Sequence, residues 1–114
     1  MEIKRGDVVY VDLPQQGAHI QYGNRPCIVV QNDIGNKYSP LVIVAPLTSK
    51  TTKKNIPTHV IYNRYVQGKA IQNTVLCEQI LTIPMDYVKS VKEHCADGVM
   101  EQIDEKIKIS LGLN

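Results

Sequence analysis

Arg25 stands at the mouth of one apolar segment, in Gly23-Asn24-Arg25-Pro26, and a hydroxyl pair, Thr48 and Ser49, closes the next, Leu41 to Leu47. A guanidinium is charged at every physiological pH and offers a planar fork of donors matched to phosphate oxygens. Two hydroxyls can add short bonds to the same group. If the two segments are neighbouring strands, these side chains converge, and the chemistry they suit is the handling of a phosphate. Neither is a base unaided, because a guanidinium gives up its proton only above about pH 12. Their sensible roles are to hold a phosphate and to stabilise charge that builds on it.

Two long polar stretches flank these residues, Gln15 to Asn24 and Ser49 to Pro57. The second contains Lys50, Lys53 and Lys54 among hydroxyl and amide groups, with no acidic residue, and suits a phosphate backbone in a salt-dependent way. The chain has no Trp and no Phe, so any stacking on a nucleobase falls to its tyrosines. Tyr22, between Gln21 and Gly23, lies in the first stretch.

The segments that must position these groups read as strands first and a helix last. Asp7 to Asp12, Arg25 to Gln31, Leu41 to Leu47, Thr58 to Tyr62 and Thr74 to Ile80 are β-branched, apolar or alternating, which predicts about five strands. Turn residues separate them, at Asp12-Leu13-Pro14, Asn32 to Asn36, Asn55-Ile56-Pro57 and Val66-Gln67-Gly68. Short strands so spaced predict a small curled barrel. Thr82-Ile83-Pro84-Met85 predicts the start of a short helix, with Pro84 in its first turn. From Asp97 the period becomes helical, with Met100, Ile103, Ile107 and Leu111 on one stripe, Asp97 as cap and Gly112 as terminator. This amphipathic helix is expected to pack on the barrel. The fold class is mainly β with helices (α+β), a single domain over residues 1–114.

Hydrophobic residues make up 43% and charged residues 21%, which excludes a disordered chain or coiled coil. A formal charge of +2 permits a nucleic-acid partner without demanding one. Cys27, Cys77 and Cys95 are an odd set at irregular spacings, and no leading apolar segment with a cleavage site is visible, so a reduced, cytoplasmic protein is expected. The longest apolar run is far short of the ~20 residues of a membrane helix. Cys95 beside His94 has no zinc spacing, and no metal or cofactor is expected.

In order and spacing, Arg5-Gly6-Asp7-Val8, Gly23-Asn24-Arg25-Pro26 with Ile28 to Asn32, Leu47-Thr48-Ser49, Pro57-Thr58-His59-Val60 and Glu78-Gln79-Ile80 resemble the MazF/PemK/Kid toxin family nearly end to end. Gln31 to Asn36 and Ile109 to Leu113 look most like its EndoA branch. The resemblance implies a small barrel related to SH3 and to CcdB, acting as a homodimer. It implies a type II toxin that cuts single-stranded RNA without a metal, at a short motif often containing A-C-A, and is inhibited by a MazE-like antitoxin. By the same resemblance Arg25 and Thr48 are catalytic, and Thr74 and Gln79 line the RNA groove. The first loop (Gln21, Tyr22, Gly23) and Ser49, Lys53 and Lys54 complete the expected RNA contacts.

One departure bears on the chemistry. Many members carry Gly-Ser-Glu-Gln before Gly-x-Arg-Pro, whereas this chain has Ile20 where the glutamate would fall. Some plasmid-encoded relatives have a histidine one position earlier, and His19 matches it. A histidine there can serve as base or acid. Two other readings stay open: a module that binds RNA or protein without cutting, and a gyrase poison like CcdB.

Overall fold

The computed structural model describes residues 2–50 and 56–113. Among these residues seven strands form one antiparallel, curled half-barrel sheet: β1 (Asp7–Leu13), β2 (Gly23–Val29), β3 (Leu41–Thr48), β4 (His59–Val66), β5 (Lys69–Leu76), β6 (Leu81–Pro84) and β7 (Val88–His94). The hydrogen-bonded path runs β4-β5-β3-β2-β1-β7, and β6 adds to β3. Two α-helices, α1 (Asp33–Tyr38) and α2 (Asp97–Leu111), complete the fold with 3-10 turns at Cys77–Gln79 and Met85–Tyr87.

Because side chains alternate along a strand, the sheet carries a core on each face. Val8, Ile28, Ala45, Leu47, Tyr62 and Val75 point to one face, where Met100 and Ile103 of α2 cover them. Val9, Val11, Cys27, Val29, Val42 and Val44 point to the other, with Ile83 and Val88. β3 is the central element. Its first half pairs with β6 and its end with β5, and the change falls at buried Pro46, which has no N–H to give a ladder.

The path ends at β4 and β7, and side chains bridge them. Glu93 of β7 accepts from Arg64 Nε and Nη2 of β4 at 3.1 and 2.9 Å, and from the Tyr62 hydroxyl at 2.5 Å. Arg64 also reaches the buried Asn73 Oδ1 at 3.5 Å. A seam thus closes through one carboxylate rather than a backbone ladder.

The expected barrel and C-terminal helix are present, with differences in detail. Leu81–Pro84 is a strand, because Ile83 is buried opposite Val42, and the short turn begins only after Pro84. The Asn32 to Asn36 turn is instead the start of α1, capped by the Asn32 side chain on the Gly35 N–H at 2.8 Å. Gln31 and Asn36 bond each other beneath it, and a Cβ on Gly35 would come within 3.0 Å of Gln31. Gln79 lies in a 3-10 turn rather than a strand. Ala96 is the N-cap of α2, with Asp97 as its first residue, while Gly112 ends it at φ 71°. Leu111 is 56% exposed and so falls off the buried stripe.

Candidate functional site

Strand register assembles the predicted residues. β2 and β3 pair Val29 with Val44, Ile28 with Ala45 and Cys27 with Pro46, and the pairing stops there, two residues short of Arg25 and Thr48. β3 and β5 pair Thr48 with Thr74, and β5 and β4 pair Thr74 with Ile61. Thr48 and Thr74 are therefore cross-strand neighbours, and Arg25 joins them at the end of β3 through its bond to the Leu47 carbonyl, so that the three stand in a row across β2, β3 and β5.

The Arg25 guanidinium is held by two backbone carbonyls. Nε donates to Tyr22 O at 3.0 Å and Nη1 to Leu47 O at 3.3 Å. Among the described residues it has no carboxylate partner, so its charge is not spoken for. Gly23, where the loop enters β2, sits at φ 80°, a conformation that favours glycine. Thr48 is 5% exposed, and its hydroxyl accepts from the Lys50 N–H at 3.2 Å. Thr74 is equally buried. Ser49 is exposed and, with Arg25 and Leu47, borders an open cavity of about 840 Å³ that runs to the β4–β7 seam.

The first loop is tied down by Gln79. Its Oε1 accepts from the Gln21 N–H at 2.9 Å, and its Nε2 donates to the His19 carbonyl at 3.1 Å. Both ends of the amide are thus committed to holding the loop, a use that the groove-lining expectation did not include. Ile20, Gln21, Pro46 and Gln79 surround a smaller cavity of about 190 Å³. His19 takes φ 66° and is exposed, as is Tyr22 at 51%. His19 does not line the cavity that Arg25 borders.

Next to Gln79, Glu78 accepts from the Thr58 hydroxyl at 3.2 Å and pairs with His59 Nε2 at 2.9 Å. The 3-10 turn Cys77–Gln79 therefore grips the first loop with one side chain and the exit of the second with another. Lys53 and Lys54 lie outside the described residues. Among the described residues no three His, Cys, Asp or Glu side chains gather in a metal-binding group.

The sequence pointed to Arg25 and Thr48 but not to the Gln79 clamp. Its partners are backbone groups 58 and 60 residues away, which leave no pattern in the chain.

Residues 4–111 match the family model described as the PemK-like, MazF-like toxin of type II toxin–antitoxin systems. The chain belongs to the PemK/MazF toxin family. It is 41% identical to endoribonuclease EndoA of Bacillus subtilis (strain 168) over 113 residues, 99% of this chain and 97% of that protein. Among solved structures it resembles a mycobacterial endoribonuclease in complex with its cognate antitoxin, at TM-score 0.79 and 26% identity, covering 98% of this chain and 97% of that one. MazF of Deinococcus radiodurans shares the fold at TM-score 0.81 and 23% identity, with 99% of each chain covered. No helix among the described residues of this MazF-like toxin is long and apolar enough to cross a membrane.

Proposed function

We propose that this chain is the endoribonuclease toxin of a type II toxin–antitoxin pair, cutting single-stranded RNA at a short motif in the cytoplasm without a metal. The observation that carries the reading is the Arg25–Thr48–Thr74 row, in which a guanidinium with no carboxylate partner among the described residues is held at the strand end that carries the Thr48 hydroxyl.

In the proposed step the RNA's own 2′-oxygen attacks the adjacent phosphorus and the bond to the 5′-oxygen breaks. The 2′-hydroxyl loses its proton, the 5′-oxygen gains one, and the products are a 2′,3′-cyclic phosphate and a 5′-hydroxyl. An internal nucleophile needs no metal-bound water. Arg25 stabilises the charge of the pentacovalent phosphorane, and Thr48 bonds the scissile phosphate. His19 is assigned the proton transfer, on a loop that Gln79 holds at the carbonyl of that same residue. Gln21, Tyr22, Gly23, Ser49, Lys53 and Lys54 contact the RNA on either side. The working form is a homodimer, restrained by a MazE-like antitoxin. The full-length similarity to EndoA, and to an endoribonuclease solved with its antitoxin, supports this assignment.

The test is incubation of the purified protein with a long single-stranded RNA in excess EDTA, mapping cut sites and end groups for the native chain, Arg25→Ala and His19→Ala. Cuts at one motif with 5′-hydroxyl ends, lost in Arg25→Ala, are expected. RNA bound but never cut would overturn the assignment in favour of a binding module, and inhibition of gyrase supercoiling would favour a poison of that enzyme.

A further inference from the structure

The catalytic row does not stop at Thr74. β4 and β5 pair through eight residues, and beyond Thr74 and Ile61 the same face continues with Asn63 opposite Gln72, then Tyr65 opposite Ala70. Successive residues on one face lie about 6.6 Å apart along a strand, so this hairpin offers two further steps leading away from the row. All four side chains are exposed, Tyr65 at 77%. The opposite face of the hairpin behaves differently: Val60, Tyr62 and Asn73 are buried, and Arg64 is engaged with Glu93.

Four facts make this outer face unusual. It holds an aromatic ring in solvent, two carboxamides directly opposite one another, an apolar Ile61 at 51% exposure, and no charge of either sign among these residues. A carboxamide carries a donor and an acceptor side by side, the pattern that matches the hydrogen-bonding edge of a nucleobase. An exposed tyrosine on a sheet is a stacking platform for an unpaired base. A strip without charge reads bases rather than phosphates, which leaves the phosphates to Arg25.

We infer that the outer face of the β4–β5 hairpin is a base-reading platform for single-stranded RNA, in which Asn63 and Gln72 select a base by its edge and Tyr65 stacks on the next. The inference rests on the endoribonuclease reading, because it takes the Arg25–Thr48–Thr74 row as the point where the scissile phosphate sits. It makes these three the determinants of which motif is cut, with no part in the cutting itself.

The experiment has two arms. In the first, cut sites of the native protein, Asn63→Ala, Gln72→Ala and Tyr65→Ala are mapped on one long RNA. The carboxamide variants are expected to relax selectivity at one motif position by about five- to a hundredfold, the discrimination of a good base contact, while keeping the same end chemistry. In the second, binding of fluorescein-labelled single-stranded oligoadenylate and oligouridylate is followed by anisotropy, which reads the platform whether or not the protein cuts. Tyr65→Ala is expected to weaken binding about five- to a hundredfold and Tyr65→Phe to restore it. Loss of cutting in every variant, native chain included, with the Tyr65 effect on binding kept, would sink the nuclease reading but leave the platform in place. Native motif selectivity in both carboxamide variants together with unchanged binding by Tyr65→Ala would overturn the platform. A change in sedimentation with unaltered RNA affinity would overturn it as well, and would give this face to a second copy of the chain.

Discussion

Gln79 and Gln21 are locked together across the small cavity: the side-chain oxygen of one accepts the backbone N–H of the other at 2.9 Å, and the same amide donates to the carbonyl of His19. The first loop, which leads into the strand that carries Arg25, is thereby held at two points two residues apart. Gln79→Ala is expected to leave the thermal midpoint nearly unchanged and lower single-turnover cleavage by about 10²-fold, the scale of a misplaced catalytic loop. Gln79→Glu should behave similarly, since its second oxygen would face the His19 carbonyl with no proton to donate. A rate equal to the native one in both variants would reduce the clamp to a packing detail.

Arg25→Ala should lower cleavage by ~10²–10³-fold with the fold intact, as expected for loss of a donor aimed at developing charge. Arg25→Lys should not restore the rate. An ammonium cannot reach the Tyr22 and Leu47 carbonyls together and still present a planar fork to phosphate. Circular dichroism with a single-turnover assay separates the two effects.

Thr48→Ser keeps the hydroxyl that accepts from the Lys50 N–H and should retain most activity. Thr48→Val fills the same space without an acceptor and should lose cleavage, with roughly 1 kcal/mol of stability for the lost hydrogen bond. Urea unfolding beside the cleavage assay measures both.

The seam predicts a stability effect remote from the chemistry. Glu93→Ala strips Arg64 of its carboxylate and the Tyr62 hydroxyl of its acceptor. A cost of about 3 kcal/mol is expected, since a nearly buried guanidinium is left uncompensated. That corresponds to a fall in thermal midpoint of roughly 10 °C or more. Calorimetry of Glu93→Ala against Glu93→Gln, which keeps an acceptor for Tyr62, apportions the loss between charge and hydrogen bond.

Alkaline pH should unfold the protein in a definite window. Burial pushes the Cys27 and Cys77 thiols up from 9.0 to about 12, so the folded state holds these protons more tightly than the unfolded chain. The stability they contribute is whole below pH 9.0 and is lost as pH rises to about 12. The slope approaches ~1.4 kcal/mol per pH unit for each thiol. Tyr62 adds to the loss above pH 10.0, its hydroxyl held protonated by burial and by the bond to Glu93. Urea titrations on either side of pH 9.0 test this, and Cys27→Ala should flatten the curve.

Much of this was legible in the chain. Arg25 and Thr48 announced themselves because each lies at the end of an apolar run, where a strand stops and a side chain is free to act. Strand β7 did not: in Val88-Lys89-Ser90-Val91-Lys92-Glu93-His94 the apolar residues stand three apart, and two bulges against β1 break the alternation that would mark a strand. Helix α1 was hidden by Asn32, Asp33 and Gly35, turn formers whose helix depends on the Gln31–Asn36 bonds beneath it. The β4–β5 hairpin was cut short at Tyr62 because polar Asn63 and Arg64 follow. Arg64 is accommodated by Asn73 and by Glu93, which is 29 residues further along the chain but adjacent across the seam.

All three cysteines are at most 1% exposed, and none stands in the Arg25–Thr48–Thr74 row. With the chemistry proposed for that row, this toxin would offer no sulfur nucleophile to peroxide or to a disulfide-forming oxidant. Oxidative stress that silences thiol enzymes in the same cell would leave its cutting capacity intact.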